Sequence, residues 1–233
     1  MQPRARRLPA DKRRRQIIES ARDIFASQSY ARVGTADLAK AAGISEPGLY
    51  RHFSGKKELF LATIRSTGPR LLKIWEEIAC DYEDPIESLW AIGVYYYDHL
   101  ESHATNMKLQ FRAIAETDDP EIRAALHETF EAFVEFIAGT LEEGKARGVV
   151  RVDVESRIVA WQFLGIGMTL DLMQLLGFQG EMDRARAGMW GRVYLDAVKR
   201  IAPGAPPYIS ERAPLRVPQE LPGERVETGG WSA

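Results

Sequence analysis

Cysteine is nearly absent from this chain of 233 residues. Cys80 stands alone, which excludes an internal disulfide framework and fits a reducing compartment. Histidine is scarce too: four residues, scattered, with no H-x-x-x-H spacing beside a cysteine pair, so no metal site is expected. No apolar run reads as a bilayer span. The longest candidate, 158–178, is interrupted by Gln162, Asp171 and Gln174. The N-terminus is basic but lacks the apolar stretch of a signal peptide, which predicts a cytoplasmic protein with no membrane partner. There is no nucleophile elbow, phosphate loop or pair of catalytic carboxylates, so neither an enzyme nor a cofactor is expected.

What is present is an uneven charge. The formal net charge is only −2, yet residues 1–65 carry 14 Lys+Arg against 6 Asp+Glu, while the remainder carries 17 against 27. Such asymmetry suits a basic module for a polyanion joined to an acidic module with another task. A solvated surface cluster would give the same count.

Helical periodicity runs through most of the chain. Residues 1–10 read as a flexible basic arm. From Asp11 to Ser27, Ile17, Ile18, Ala21, Ile24 and Phe25 recur at three- and four-residue spacing, one face of an amphipathic helix. Thr35 can cap a short second helix ending at Gly43, and Ser45 a third with Pro47 in its first turn. Ser54-Gly55 opens a fourth, which Gly68-Pro69 should end or kink. Further helices are expected over 85–101, near 106–116, from Pro120 to about Arg147, from an Asp153 cap to Leu176 before Gly177, and over 182–201. Sustained period-two alternation is missing, so the fold class is all-α. Pro and Gly are frequent from Pro203 onward and apolar periodicity disappears, so a disordered tail is expected there. The expected division is 1–10, 11–66, 67–202 and 203–233.

Residues 35–53 carry the most information. A helix-turn-helix needs a small residue where its helices cross, a sharp turn four residues later, and apolar anchors between the two helices. Ala39, Gly43, and Leu38, Ile44 and Leu49 supply these. The second helix of such a motif offers its N-terminal residues to the major groove. Lys56 and Lys57 open the next helix, where the macrodipole disfavours cations; a docked phosphate would offset that cost. Arg51 can fork onto guanine, Glu46 can accept from a cytosine amino group, and Pro47 can pack on a thymine methyl. Leu49 and Phe53 should be core.

With these residues in view, Arg14 to Ile18, Ala21, Phe25, Thr35, Leu38-Ala39, Ala42 to Ser45, Gly48 to Tyr50, His52-Phe53, Lys56, Glu58 and Leu59 resemble the N-terminal signature of the TetR family of transcriptional regulators. Two departures stand out: Ser29 replaces the glycine usual before the aromatic Tyr30, and Glu46 with Gly48 leaves the recognition helix few base-reading side chains. The resemblance implies that Thr35 caps the second helix and binds a phosphate. It implies that Tyr50, His52 and Lys56 hold the DNA backbone, and that Ser45, Glu46, Pro47, Gly48 and Arg51 face base edges.

The same resemblance implies that the C-terminal helices bind an effector and form a homodimer through the last two long helices. The stripe Trp161, Leu164, Gly165, Met168, Leu172, Leu175 would serve that interface; packing within one subunit is the alternative. For a small, largely apolar effector the candidate lining residues are Trp90, Tyr96, Phe111, Trp161 and Met168, with His99, Gln110, Arg112, Gln162 and Asp171 as polar partners. The expected function is a ligand-responsive regulator, a repressor on a palindromic operator. An activator or a chromosome-organising factor on the same fold is the alternative.

Overall fold

The computed structural model describes residues 9–199. Nine α-helices lie among them: α1 (Ala10–Ser27), α2 (Thr35–Ala41), α3 (Glu46–Tyr50), α4 (Lys56–Cys80), α5 (Pro85–Asp98), α6 (Leu100–Ile114), α7 (Pro120–Ala146), α8 (Ser156–Leu176) and α9 (Arg184–Val198). Strand-like pairing among the described residues is confined to one isolated antiparallel bridge, Val150 with Lys199. The all-α expectation holds. The expected tail, like most of the N-terminal arm with Arg4, Arg6 and Arg7, lies outside the described residues.

Two apolar clusters organise the helices. The first gathers Ile17, Ala21 and Phe25 of α1, Leu38 and Ala39 of α2, Leu49, Phe53, and Leu59, Phe60 and Ile64 of α4. Leu109 of α6 and Ile122 and Leu126 of α7 join it, so the later helices roof the first three. The second holds Trp75 of α4, Ile86, Leu89 and Ile92 of α5, Phe133, Ile137 and Leu141 of α7, Val159 and Leu164 of α8, and Leu195 and Val198 of α9.

One helix serves both clusters. The Gly68-Pro69 pair does not end α4, which runs unbroken from Lys56 to Cys80 with Pro69 inside it. A proline removes one backbone donor and crowds the carbonyl four residues back. Here its ring is exposed, and nearby carbonyls gain side-chain donors: the Ser66 hydroxyl on Thr63 O and the Thr67 hydroxyl on Ile64 O, 2.7 and 2.8 Å. Burial of Ile64 and Thr67 before the proline and of Trp75 after it holds the helix on course. Gly68 sits where a β-carbon would lie 3.0 Å from Thr129 of α7, so the two helices cross closely there.

Other boundaries moved for identifiable reasons. The 85–101 helix stops at Asp98, and α6 begins at once with Leu100, giving two helices around His99. Asp153 does not cap α8: its carboxylate forms an ion pair with Arg151, and Glu155 caps instead, accepting from the amides of Arg157 and Ile158. Asp119 caps α7 as its position before Pro120 suggests, and Gly177 closes α8 with φ +83°. By length and composition α8 is apolar enough to cross a membrane, contrary to the reading of its polar interruptions. In the fold its Val159, Ala160, Leu164 and Leu170 are buried against neighbouring helices.

The turn after α7 is the least forgiving point of the second cluster. A β-carbon on Gly144 would lie 2.4 Å from Val150 Cγ2, and both residues are buried. Gly144→Ala is therefore expected to cost about 1–3 kcal/mol through overpacking, read as a lower midpoint in chemical denaturation. An unchanged midpoint would show that the 148–150 turn can shift freely.

Candidate nucleic-acid interface and effector cavity

Local chemistry places α3. After α2, Gly43 adopts φ +64°, the left-handed conformation that glycine takes at least cost. The amide of Gly43 bonds Lys40 O at 3.1 Å and that of Ile44 bonds Ala39 O at 3.0 Å, the paired bonds of a Schellman end. Two residues on, Ser45 caps α3, its Oγ accepting from the Gly48 amide at 3.2 Å, with Pro47 in the first turn. Caps of this kind are worth about 1 kcal/mol. Leu49 and Phe53 are buried as expected and pin α3 to the first cluster.

That anchoring turns a defined set of side chains outward. Ser45, Pro47, Tyr50 and Arg51 are exposed, Tyr50 by 51%. Tyr50 is thus no half-buried core aromatic. Thr35, Glu46, His52 and Lys56 are partly covered, and Gly48 is buried, where a β-carbon would meet Ser45 Oγ at 3.2 Å and the Arg51 guanidinium at 3.4 Å. Gly48 therefore contributes close packing in the free protein, and its neighbours supply the outward surface.

Three expected contacts take a different form. Gly34, not Thr35, occupies the N-cap of α2; Thr35 is the first helical residue, and its hydroxyl donates to a Glu46 carboxylate oxygen. This bond ties α2 to α3 and leaves Glu46 engaged in the free protein. Lys56 donates to Tyr30 O at 2.8 Å, its ammonium 4.3 Å from the centre of the Tyr30 ring. Lys57 pairs with Asp119 and Glu121 of α7, each at 2.7 Å, and those bonds push its ammonium up to about 12. The Ser29 departure is harmless: its φ of −64° is open to any residue. Arg14 of α1 stacks over Phe53 and pairs with Glu58 at 3.0 Å.

The second cluster encloses a cavity of about 160 Å³ between α4, α5, α7, α8 and α9, touched by Gln110 of α6. Of the candidate lining residues it collects Trp90, Tyr96 and Met168; Phe111 and Trp161 are not among those lining it. Trp161 lies outside, 46% exposed and stacked on Phe130. Of the candidate polar partners, Gln110 and Asp171 line it. Arg112 instead donates to Ala26 O and Ser27 O at the end of α1, at 2.9 and 3.2 Å. His99 stacks on Tyr95, and Gln162 is exposed. Sequence reasoning missed the glycines: Gly188 and Gly191 on α9 give the Trp90 indole a flat seat, and their spacing of three was the available signal.

Asp171 is the unusual group. It is only 5% exposed, and its Oδ2 accepts from the Tyr96 hydroxyl at 2.7 Å. Burial raises its carboxyl to about 6, opposed by that hydrogen bond, and burial together with the carboxylate pushes the Tyr96 phenol well up.

Comparison with known proteins agrees with this geometry. Residues 17–63 match the family model described as bacterial regulatory proteins, tetR family. The transcriptional activator FasR of Mycolicibacterium smegmatis is 29% identical over 163 residues, 66% of this chain and 74% of FasR. The nucleoid occlusion factor SlmA of Vibrio campbellii is 27% identical over 154 residues, 66% of this chain and 79% of SlmA. In fold, the fatty acid degradation regulator FadR from Bacillus halodurans superposes with a TM-score of 0.67 at 19% identity, over 82% of this chain and 96% of that one. With a capped, outward-facing α3 on a buried α1–α4 base, and with these matches, residues 17–63 are identified as a DNA-binding domain of the tetR family of bacterial regulatory proteins.

Proposed function

We propose that this protein is a cytoplasmic, dimeric, ligand-responsive repressor that reads a palindromic operator with α3. The observation that carries the reading is the placement of Pro47, Tyr50 and Arg51 on the exposed side of a helix whose opposite side is locked into the core. On this reading residues 11–66 are assigned to DNA reading and residues 67–202 to sensing and dimerisation. Ser45, Pro47 and Arg51 face bases; Tyr50, His52, Lys56 and the Thr35 amide face phosphates; Glu46 joins the base contacts once DNA draws it from the Thr35 hydroxyl. The activator and nucleoid-factor names of two relatives favour, as a second reading, the same DNA-binding dimer with a different regulatory outcome.

Dimerisation is supported by the outer faces of α8 and α9. Trp161, Met168, Leu172 and Leu175 of α8, and Met189 and Val193 of α9, are large apolar side chains exposed on the protomer, Val193 by 65%. Leu164 of the same stripe is buried within the protomer. A second copy packing α8 and α9 against their mates would make a four-helix interface.

Effector control follows from the connections between layers. Lys57 with Asp119 and Glu121, Arg65 with Glu128, and Arg112 on the end of α1 bind the DNA-reading helices to α6 and α7. A small, largely apolar effector in the cavity would shift α7 and hence the recognition helices, whose half-sites must lie about 34–36 Å apart or a multiple of that. Linkage requires operator DNA to weaken effector binding by the same factor.

Three measurements test these assignments. Lys56→Ala is expected to weaken binding to all DNA sequences and to reduce the slope of log K against log salt by about one. An unchanged slope with a lowered melting temperature would make Lys56 a latch on Tyr30 only. Arg51→Ala should relax preference at one base position, costing about 1–3 kcal/mol there; a uniform loss across operator variants would reassign Arg51 to the backbone. Leu172→Glu should convert the dimer to monomer in light scattering and abolish operator binding, and a dimer that survives it would move the interface elsewhere.

A further inference from the structure

The cavity is mainly apolar, and Asp171 is the one acidic side chain among its lining residues. Leu71, Ile92, Phe130, Phe133 and Leu164 supply hydrocarbon and aromatic wall. At one corner, Asp171 Oδ1 is buried with no hydrogen-bond partner, while Oδ2 takes the Tyr96 hydroxyl. A buried, half-satisfied carboxylate is costly unless something pairs with it. The lining guanidinium is already matched, Arg184 forking onto Asp98 at 2.7 and 3.0 Å, and Arg192, behind the lining Trp90 ring, pairs with Glu87 at 2.8 Å. The cavity thus offers one site of negative charge and aromatic faces beside it, the combination that attracts a desolvated cation.

We propose that the effector is a cationic amphiphile, an alkyl or aromatic amine whose ammonium group docks on Asp171 while its apolar body fills the space between α4, α5, α7 and α8. This deepens the effector reading above and rests on it. The ammonium donates to Oδ1, the atom left without a partner, and the Tyr96 hydroxyl keeps Oδ2 in place. The Trp75 indole N–H, also buried without a partner, would be met by an acceptor atom further along the ligand. An anionic head group is disfavoured, since it would place a second negative charge beside an ionised carboxylate.

The groups that face this corner define its pH response. α5 contributes Tyr96 and Tyr97, the latter's hydroxyl donating to Met182 O, and α6 the neutral Gln110; α4 and α7 present apolar and aromatic side chains, and α9 presents the paired Arg184 and Tyr194, whose hydroxyl donates to Val159 O. His103 of α6 lies behind Tyr96, ring centres 5.7 Å apart, and burial holds its imidazole below its ordinary value. With its carboxyl at about 6, Asp171 is ionised near pH 7.5 and mostly protonated near pH 5. Ammonium binding should therefore weaken by about tenfold between these two values.

Titration calorimetry of the full chain with octylammonium, octanol and octanoate, each below its micellar concentration, tests the proposal. Near pH 7.5, octylammonium should bind about tenfold more tightly than octanol, and octanoate more weakly than either. Asp171→Asn, which keeps the shape and can still accept from Tyr96, should erase the ammonium advantage and the pH dependence while leaving octanol binding in place. Without ligand this variant should melt no lower than the parent at pH 7.5, because an unpaired buried charge has been removed. Octanoate binding as tightly as octylammonium, or a preference for ammonium that survives in Asp171→Asn, would overturn the proposal while leaving an effector cavity. A pH dependence persisting in the variant would assign it to His103 and overturn it likewise. Binding of none of the three would sink both this inference and the effector reading.

Discussion

An α-helix that carries core residues of two apolar clusters cannot bend in one without disturbing the other. This constraint, imposed by α4, governs the molecule. Leu59, Phe60 and Ile64 are buried beneath the DNA-reading helices, and Trp75, four turns on, is buried beside the cavity. Because Pro69 leaves the helix whole, the two clusters share a single rigid rod. Interiors at crystal-like density transmit displacement and do not absorb it, so whatever moves Trp75 is felt at the base of α3. The ion pairs from Lys57 and Arg65 to α7 tie a second long helix into the same frame.

The DNA-facing side is economical. A recognition helix of five residues has little stability of its own; α3 persists because Ser45 caps it, Gly43 sets its entry and Leu49 with Phe53 bury its underside. Several polar groups expected to reach for nucleic acid are satisfied internally in the free protein: Thr35 with Glu46, and Lys56 with the Tyr30 carbonyl. Each such bond keeps a charged or hydroxyl group from wandering, and on the proposed assignment its exchange for a contact to DNA would come at little net cost, since hydrogen bonds traded one for one nearly cancel.

Features set by neighbours along the chain were legible in the sequence. Gly43, Ser45 and Asp119 act within a few residues of themselves, and each stands where the pattern places it. Features decided by distant partners were not. Pro69 reads as a helix breaker until the burial on both sides of it is known, and Asp153 reads as a cap until Arg151 claims it. The candidate cavity residues divide for the same reason. Helices α5 and α8 are apolar on more than one side, so periodicity cannot say which aromatic turns inward; Trp90 and Tyr96 do, while Trp161 turns out. Asp171 was visible as a polar interruption in an apolar helix, but its pairing with Tyr96, 75 positions away, exists only in the fold.

The division of labour within α3 has an evolutionary consequence. Its stabilising residues, Ser45 Oγ as cap, Leu49 and Phe53, are nearly disjoint from the side chains that look outward, Pro47, Tyr50 and Arg51. Substitutions at exposed positions away from caps and cores usually change stability by less than about 0.5 kcal/mol. On the proposed assignment a lineage can therefore rewrite Pro47 and Arg51, and with them the target sequence, without passing through unfolded intermediates. The scaffold behaves as a socket into which successive reading heads are fitted, and duplicated copies can drift apart in target before they drift in shape.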